Sequence, residues 1–387
     1  MLAHAGNFGT IPRAPLRTLQ LGMNASPKDL GGLDRYYYSL LRRLPAADVV
    51  ANGLVVGGLD LPDGFAGRSC CASNEVGMLA RWRALRQIVP SMIEQADVVV
   101  SHFAPYAFPV LDSLRRRPYV VHFHGCWALE SAAEGASRAL APLRRTLERI
   151  VYQSAARVIV LSHSYADLLQ QTFGVDPSLI RVIPGGVDLS RFQAVGSRGE
   201  ARRALGLSEG RPIVTAVRRL VRAKGLENLI DAVALVRRRI PDIQLVIAGN
   251  GPLEAALKAQ AAERGVDDAV RFIGFVDDKL HLLYRASDLT IVPTLVLEGF
   301  GLVVLESLAA GTPALVTPVS GLPETVQGLD RNLILQGTDA PSLARGIGDA
   351  LDGSMRLPDE GACIAFAERF DWGHIAAQTA SVYYEVA

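Results

Sequence analysis

Short runs of apolar, largely β-branched residues recur along the chain, each followed by a longer stretch whose apolar positions return every three to four residues. In the first half the runs at 16–23, 49–56, 97–101, 119–123, 157–161 and 180–183 read as strands. The stretches at 33–44, 76–94, 138–154 and 164–173 read as helices. The rhythm resumes in the second half. Strands are expected at 213–217, 243–248, 270–273, 289–292, 314–316 and 333–335, and helices at 226–239, 253–264, 279–285, 302–310 and 342–351. Near-continuous apolar strands alternating with helices predict parallel sheets covered on both faces.

Two successive series of about six strands predict two doubly wound α/β domains rather than one barrel. The boundary is set at the Gly/Arg/Ser-rich stretch 193–199, which lacks apolar periodicity and follows the turn signal Pro184-Gly185-Gly186-Val187-Asp188. The expected layout is a disordered leader over 1–15, a first domain over 16–193 and a second over 200–371. In such sheets ligands gather at the carboxyl ends of the strands, so the cleft between the domains is the expected site.

Composition narrows the class. Of 387 residues, 49% are hydrophobic and 20% charged, which excludes a disordered chain. A net charge of +1 argues against a dedicated nucleic-acid binder. Cys70 and Cys71 are adjacent while Cys126 and Cys363 stand alone, so neither a disulfide scaffold nor a zinc-ligand spacing is present, and a reducing cytoplasmic setting is expected. No run reaches ~18 apolar residues, and residues 1–15 do not have the pattern of a secretory signal. The charge is uneven: residues 1–193 carry 20 basic against 15 acidic side chains (+5), and the remainder 20 against 24 (−4). A basic first half suits an anionic acceptor or peripheral association with the inner face of a membrane; a solvated surface is the alternative.

The richest segment runs from Pro293 to Glu306, where a strand ends, a turn containing Gly299-Phe300-Gly301 follows, and a helix begins. Glycines let backbone N–H groups approach a ligand, and a helix N-terminus favours an anion. Glu298 and Glu306 lie eight residues apart, roughly 12 Å along a helix. That separation suits a ligand with hydroxyls at both ends and phosphates between them. A second segment, Arg218-Arg219-Leu220-Val221-Arg222-Ala223-Lys224-Gly225, places three arginines and one of only four lysines between a strand and a helix. Arginine matches phosphate oxygens as a fork and lysine as a point charge. Weaker signals are Gly31-Gly32 after the first strand, His122 and His124 at the end of the fourth, and the turn Gly249-Asn250-Gly251. His124 is the cleft candidate and His122 the core histidine. No metal-ligand cluster stands out in the spacing.

Together these segments resemble the retaining glycosyltransferases of family 4. Glu298-Gly-Phe-Gly-Leu-Val-Val-Leu-Glu306 matches the family's E-x7-E motif, and Arg219-Leu-Val-Arg-Ala-Lys224-Gly225 its R-x4-K-G element. Arg218 stands where the family often has glycine, an extra cation for the phosphate site or for solvent. The resemblance implies the GT-B fold, two Rossmann-like domains facing across a cleft, with the last segment 372–387 a helix returning to the first domain. It implies transfer of a sugar from a nucleotide-sugar donor to a hydroxyl acceptor, with the nucleotide sugar as substrate and neither cofactor nor metal. Arg219 and Lys224 would hold the donor diphosphate, Glu298 the sugar hydroxyls and Glu306 the ribose. Gly299, Phe300 and Gly301 would border the donor, as would Gly249, Asn250 and Gly251. Gly31 and Gly32 would leave room for phosphates and acceptor, and His124 would contact the sugar near its reacting carbon. Alternatives are another GT-B enzyme on a nucleotide sugar, such as an epimerase or phosphorylase, and a silent sugar-nucleotide-binding subunit.

Overall fold

The structure, a computed structural model, describes residues 14–24, 32–57, 66–71, 76–128, 138–193 and 196–387. Residues 1–13 of the leader expected over 1–15, Lys28 and Gly31 lie outside the described residues. Two parallel sheets form, one from each half. The first comprises β1 (Leu16–Asn24), β2 (Val49–Gly57), β3 (Gly67–Ser69), β4 (Val98–Ser101), β5 (Tyr119–Phe123), β6 (Arg157–Val160) and β7 (Ile180–Val182). Its order is β3-β2-β1-β4-β5-β6-β7, with the reversal between β1 and β4. The second comprises β8 (Ile213–Val217), β9 (Gln244–Ala248), β10 (Val270–Phe272), β11 (Leu289–Val292) and β12 (Ala314–Val316), in the order β10-β9-β8-β11-β12. Both are α/β doubly wound sheets, and the site sits where their strand order switches.

The central strands are buried on both faces. Leu54, Val55 and Val56, Val98 to Val100, and Leu245 to Ala248 are all essentially inaccessible. β-branched side chains fit such pleated, covered surfaces. Two expectations change. Residues 333–335 are not a strand: Arg331–Leu333 is a 3-10 turn capped by the Asp330 carboxylate on Asn332 N at 2.8 Å, and only the bridge Val316–Ile334 joins the sheet. A cap that satisfies the local amide competes with strand pairing. The first sheet instead gains the edge strand β3, three residues too polar and too short to show periodicity. In the 193–199 segment, Ser197 opens the helix Arg198–Ala204 with a capping box to Glu200.

The chain crosses between the halves twice. The first crossing follows β7 through Pro184–Asp188, and the second precedes the last helix, Trp372–Val386. The two crossings touch, with Val187 N donating to Phe370 O at 2.9 Å. The last helix returns to the first half. Tyr383 donates to or accepts from His122 Nε2 at 2.8 Å, Tyr384 donates to Asp48 O, and Glu385 pairs with Arg157 and Arg181. Gly186 permits this closure, since a Cβ there would come 2.5 Å from the Trp372 ring. The overlap is with packed ring atoms rather than a flexible tip, so Gly186→Ala is expected to cost about 1–3 kcal/mol. Denaturant unfolding measures it; an unchanged midpoint would show that the two crossings pack loosely.

Candidate active site

The cleft between the sheets encloses about 530 Å³ and is walled by both halves, from Gly32, Tyr36 and His124 on one side to Arg219, Lys224 and Glu298 on the other. At its centre is a charged triad. Glu298 Oε2 accepts from Lys224 Nζ at 2.8 Å and from Arg218 Nη2 at 2.5 Å, and Arg218 also donates to Thr294 Oγ1. Sequence folds these together through Gly225. Its φ is +70°, and a Cβ would lie 2.0 Å from Pro293 O, so only glycine lets the cationic loop close on the end of β11. Leu295 N donating to Ala223 O at 3.0 Å joins the two loops.

Burial opposes ionisation of Glu298, but Arg218 and Lys224 overcome that cost and hold its carboxyl down at about 2. Burial likewise lowers the Lys224 ammonium, and Glu298 offsets part of the effect. Arg218 therefore does not face solvent; it is the buried partner of Glu298 on the cleft wall. Arg219 is exposed on the cleft wall beside Lys224. Lysine carries three donors, so one spent on Glu298 leaves two for a ligand.

Glu306 lies on the helix Leu302–Ala309, and both its oxygens are engaged. Oε1 accepts from Arg35 Nη1 at 2.9 Å and Oε2 from Tyr284 OH at 2.9 Å. Arg35 belongs to the first helix, Gly32–Arg43, so this pair spans the halves. A second tie joins them at Glu324, whose carboxylate accepts from His163 N and Ser164 N at 2.8 and 2.9 Å. Glu306 is buried and is not among the residues that line the cavity, so the structure places it behind the cleft wall rather than on it.

Gly299, Phe300 and Gly301 border the cleft, with Gly301 at φ +83° opening the helix. Gly32 also lies on the wall. The Gly249-Asn250-Gly251 turn does not line the cleft. It lies under the cationic loop, where a Cβ on Gly249 would meet Arg218 O at 1.9 Å and one on Gly251 would meet Leu220 O at 2.4 Å. Packing alone already requires these glycines, and it produces the same sequence signal as approach to a ligand.

His124 is on the wall, and His122 is fully buried. Both stack with His102 from the end of β4, at interplanar angles of 19° and 17°, and with each other at 14°. Ring nitrogens of the three lie within 4.8 Å of one another. His102 Nδ1 bonds His124 Nε2 and its Nε2 bonds Gln20, while His122 bonds Tyr36 and Tyr383, and the near-parallel rings do not aim their lone pairs at one point. Glu148 steadies the next turn: its buried carboxylate accepts from Trp127 N, Ala128 N and Tyr152 OH. Burial raises its pKa, and those three bonds pull against the rise. Sequence reading missed Gln20, Arg35, His102, Glu148, Tyr284 and Thr294. The polar Gln20 inside the apolar run of β1 was the one readable signal.

Two facing α/β domains with a charged, glycine-bordered cleft define the class of GT-B glycosyltransferases, and comparison with known proteins agrees. Residues 30–191 match the family described as Glycosyltransferase Family 4, and residues 197–365 that described as Glycosyl transferases group 1. A D-inositol 3-phosphate glycosyltransferase of Acidothermus cellulolyticus is 30% identical over 96% of this chain and 91% of its own. That of Nocardia farcinica is 34% identical over 67% of this chain and 60% of its own. Among solved structures, sucrose-phosphate synthase from Thermosynechococcus elongatus superposes with a TM-score of 0.78 at 23% identity, covering 96% of this chain and 98% of that one. HepE from Anabaena, in complex with UDP-glucose, gives 0.77 at 22%, covering 96% and 100%. The chain belongs to the family 4 glycosyltransferases and is a glycosyltransferase of GT-B architecture. Among the described residues no helix is long and apolar enough to cross a membrane.

Removing the central carboxylate tests the triad. Glu298→Gln leaves two buried cations without their counter-ion and is expected to cost on the order of 3 kcal/mol in denaturant unfolding. Because the folded carboxyl sits at about 2, below its unfolded value of about 4.3, its contribution is complete above that value and is lost as pH falls through about 2. Acid titration of stability should therefore be flatter between those limits in the variant; identical acid limbs would remove the triad from the stability account.

Proposed function

We propose that the cleft binds a nucleoside-diphosphate sugar and transfers the sugar to a hydroxyl acceptor, with retention of anomeric configuration and without a metal. The single observation that carries this reading is the Arg218–Glu298–Lys224 cluster on the cleft, with Arg219 exposed beside it and the Gly299–Gly301 turn following Glu298 along the wall. The UDP-glucose bound to HepE, a protein of the same fold, supports a nucleotide-sugar donor.

In this reading the diphosphate lies against Arg219, the two remaining Lys224 donors and the start of the helix Leu302–Ala309. Glu298 holds Lys224 in place and presents its second oxygen to the sugar hydroxyls. As the bond from the anomeric carbon to phosphate oxygen breaks, negative charge grows on the leaving diphosphate, where fixed cations stabilise it most. The acceptor oxygen bonds to the same face of that carbon, and its proton passes to the departing phosphate oxygen. This route needs no protein nucleophile and no metal charge. Glu306 takes the ribose hydroxyls alongside Arg35. The basic first half, with Arg115 to Arg117 exposed, suits an anionic acceptor or the inner face of a membrane.

Lys224→Ala is expected to lower kcat by at least ~100-fold, the loss typical of removing one fixed donor to a developing charge. Turnover within a few-fold of wild type would reject the assigned role. Transfer should persist in excess EDTA, and proton NMR of the first-formed product should show the donor's anomeric configuration. Thermal shifts should rise with added nucleoside diphosphate by mass action, more in Glu298→Gln than in wild type, because the two cations are then unneutralised.

A further inference from the structure

Gln20 lies in the middle of β1 and is fully buried. Its Nε2 donates to Thr18 Oγ1 at 3.0 Å. Burial pushes the Tyr383 phenol far above its ordinary range, and the Gln20 side chain works against that rise, as an amide N–H pointed at the phenol oxygen does. The amide nitrogen is thus committed, which leaves Oε1 facing His102 Nε2 at 3.0 Å. A carbonyl oxygen brings no proton to a hydrogen bond, so His102 Nε2 carries it. His102 is buried and held well below its ordinary pKa, first by burial and then by its histidine neighbours. It is neutral, and its Nδ1 is bare.

That bare Nδ1 lies 3.2 Å from His124 Nε2. The proton of this second bond therefore comes from His124 Nε2. Burial lowers His124 to about 3, so it too is neutral and carries its single proton there. Its Nδ1 is a lone pair with no partner among the described residues. Tyr36 fixes the ring edge-on at 4.7 Å and 68°. His122 stands in the same stack, bonded to Tyr36 OH and Tyr383 OH rather than to His102 or His124, so it does not compete for their ring nitrogens.

We propose that Gln20 and His102 are positioning residues that hold His124 in the Nε2–H tautomer, so that its Nδ1 accepts a hydrogen bond from a hydroxyl of the bound sugar. The sugar as occupant rests on the glycosyl-transfer reading above; the tautomer rests on the hydrogen-bond chain alone. The arrangement makes His124 a selector. A site built around a fixed acceptor rewards a donor hydroxyl and penalises an analogue in which that hydroxyl is fluorine or hydrogen, because the buried nitrogen is then left unpaired.

Long-range ¹⁵N–¹H correlation on histidine-labelled wild-type protein reads the tautomer directly, and His124 is expected as Nε2–H at neutral pH. His102→Leu deletes the acceptor for that proton. It should mix the two tautomers and lower kcat/KM for the nucleotide sugar roughly tenfold, with affinity for the sugar-free nucleoside diphosphate unchanged. His102→Asn, whose side-chain oxygen can occupy the Nδ1 position, should restore both signals to near wild type. Gln20→Glu reverses the chain: a carboxylate keeps a second proton on His102, whose Nδ1–H then donates to His124 Nε2. The His124 proton must move to Nδ1, and the spectrum should invert.

A wild-type spectrum showing His124 as Nδ1–H overturns the proposal, as does a folded His102→Leu protein with unchanged tautomer and unchanged kcat/KM. Failure of wild-type protein to turn over any nucleotide sugar would instead defeat the transfer reading, while the spectrum still decides the tautomer.

Discussion

Everything in the cleft depends on a carboxylate kept ionised where burial alone would neutralise it. Glu298 retains its charge because Arg218 and Lys224 reach the same oxygen from below. Each of the three would be costly to bury alone, and together they form a compact unit with one net positive charge. That surplus, on Lys224, faces the cleft. The unit exists because the turn before Glu298 and the loop ending at Gly225 can touch, and they touch because Gly225 has no side chain. A backbone allowance at one residue thus determines where a positive charge sits.

The first half answers with an uncharged device. Three histidines stack there, each held neutral by burial, and in the proposed chain His102 and His124 pass hydrogen-bond direction from Gln20 to the cleft without moving any charge. The two walls are therefore unlike: one supplies fixed cations, the other an oriented lone pair and aromatic edges. A polar, elongated ligand with an anionic middle and a hydroxylated end fits between walls of that kind.

Much of this was legible along the chain. The strand cores were readable because β-branched runs such as Ile213–Val217 and Leu289–Val292 can only be covered strands, and the spacing of Glu298, Glu306, Arg219 and Lys224 was visible without coordinates. What was not legible is pairing over long sequence distance. Nothing in the sequence says that Arg35 meets Glu306, or that His102 meets Gln20, because those contacts are set by sheet order. Arg218 was read as a spare cation, since its burial against Thr294 depends on where β8 and β11 lie. The Gly249–Gly251 turn is ambiguous for a different reason: tight packing against a neighbouring carbonyl and tight approach to a ligand call for the same residue. At 333–335, a single aspartate cap outweighed an apolar triplet.

The paired crossings at Val187 and Asp371 bear on how the halves can move. Two bodies joined by one strand of chain can swivel about many directions. Two bodies joined by two adjacent strands, themselves hydrogen-bonded, keep essentially one easy rotation, about the line through the joints. The contacts of Arg35 and of Glu324 also join the two halves, so a rotation about that line that parted the walls would have to break both. Opening is thereby confined to a single coordinate, and a molecule admitted along it meets the same two walls in the same alignment every time they shut.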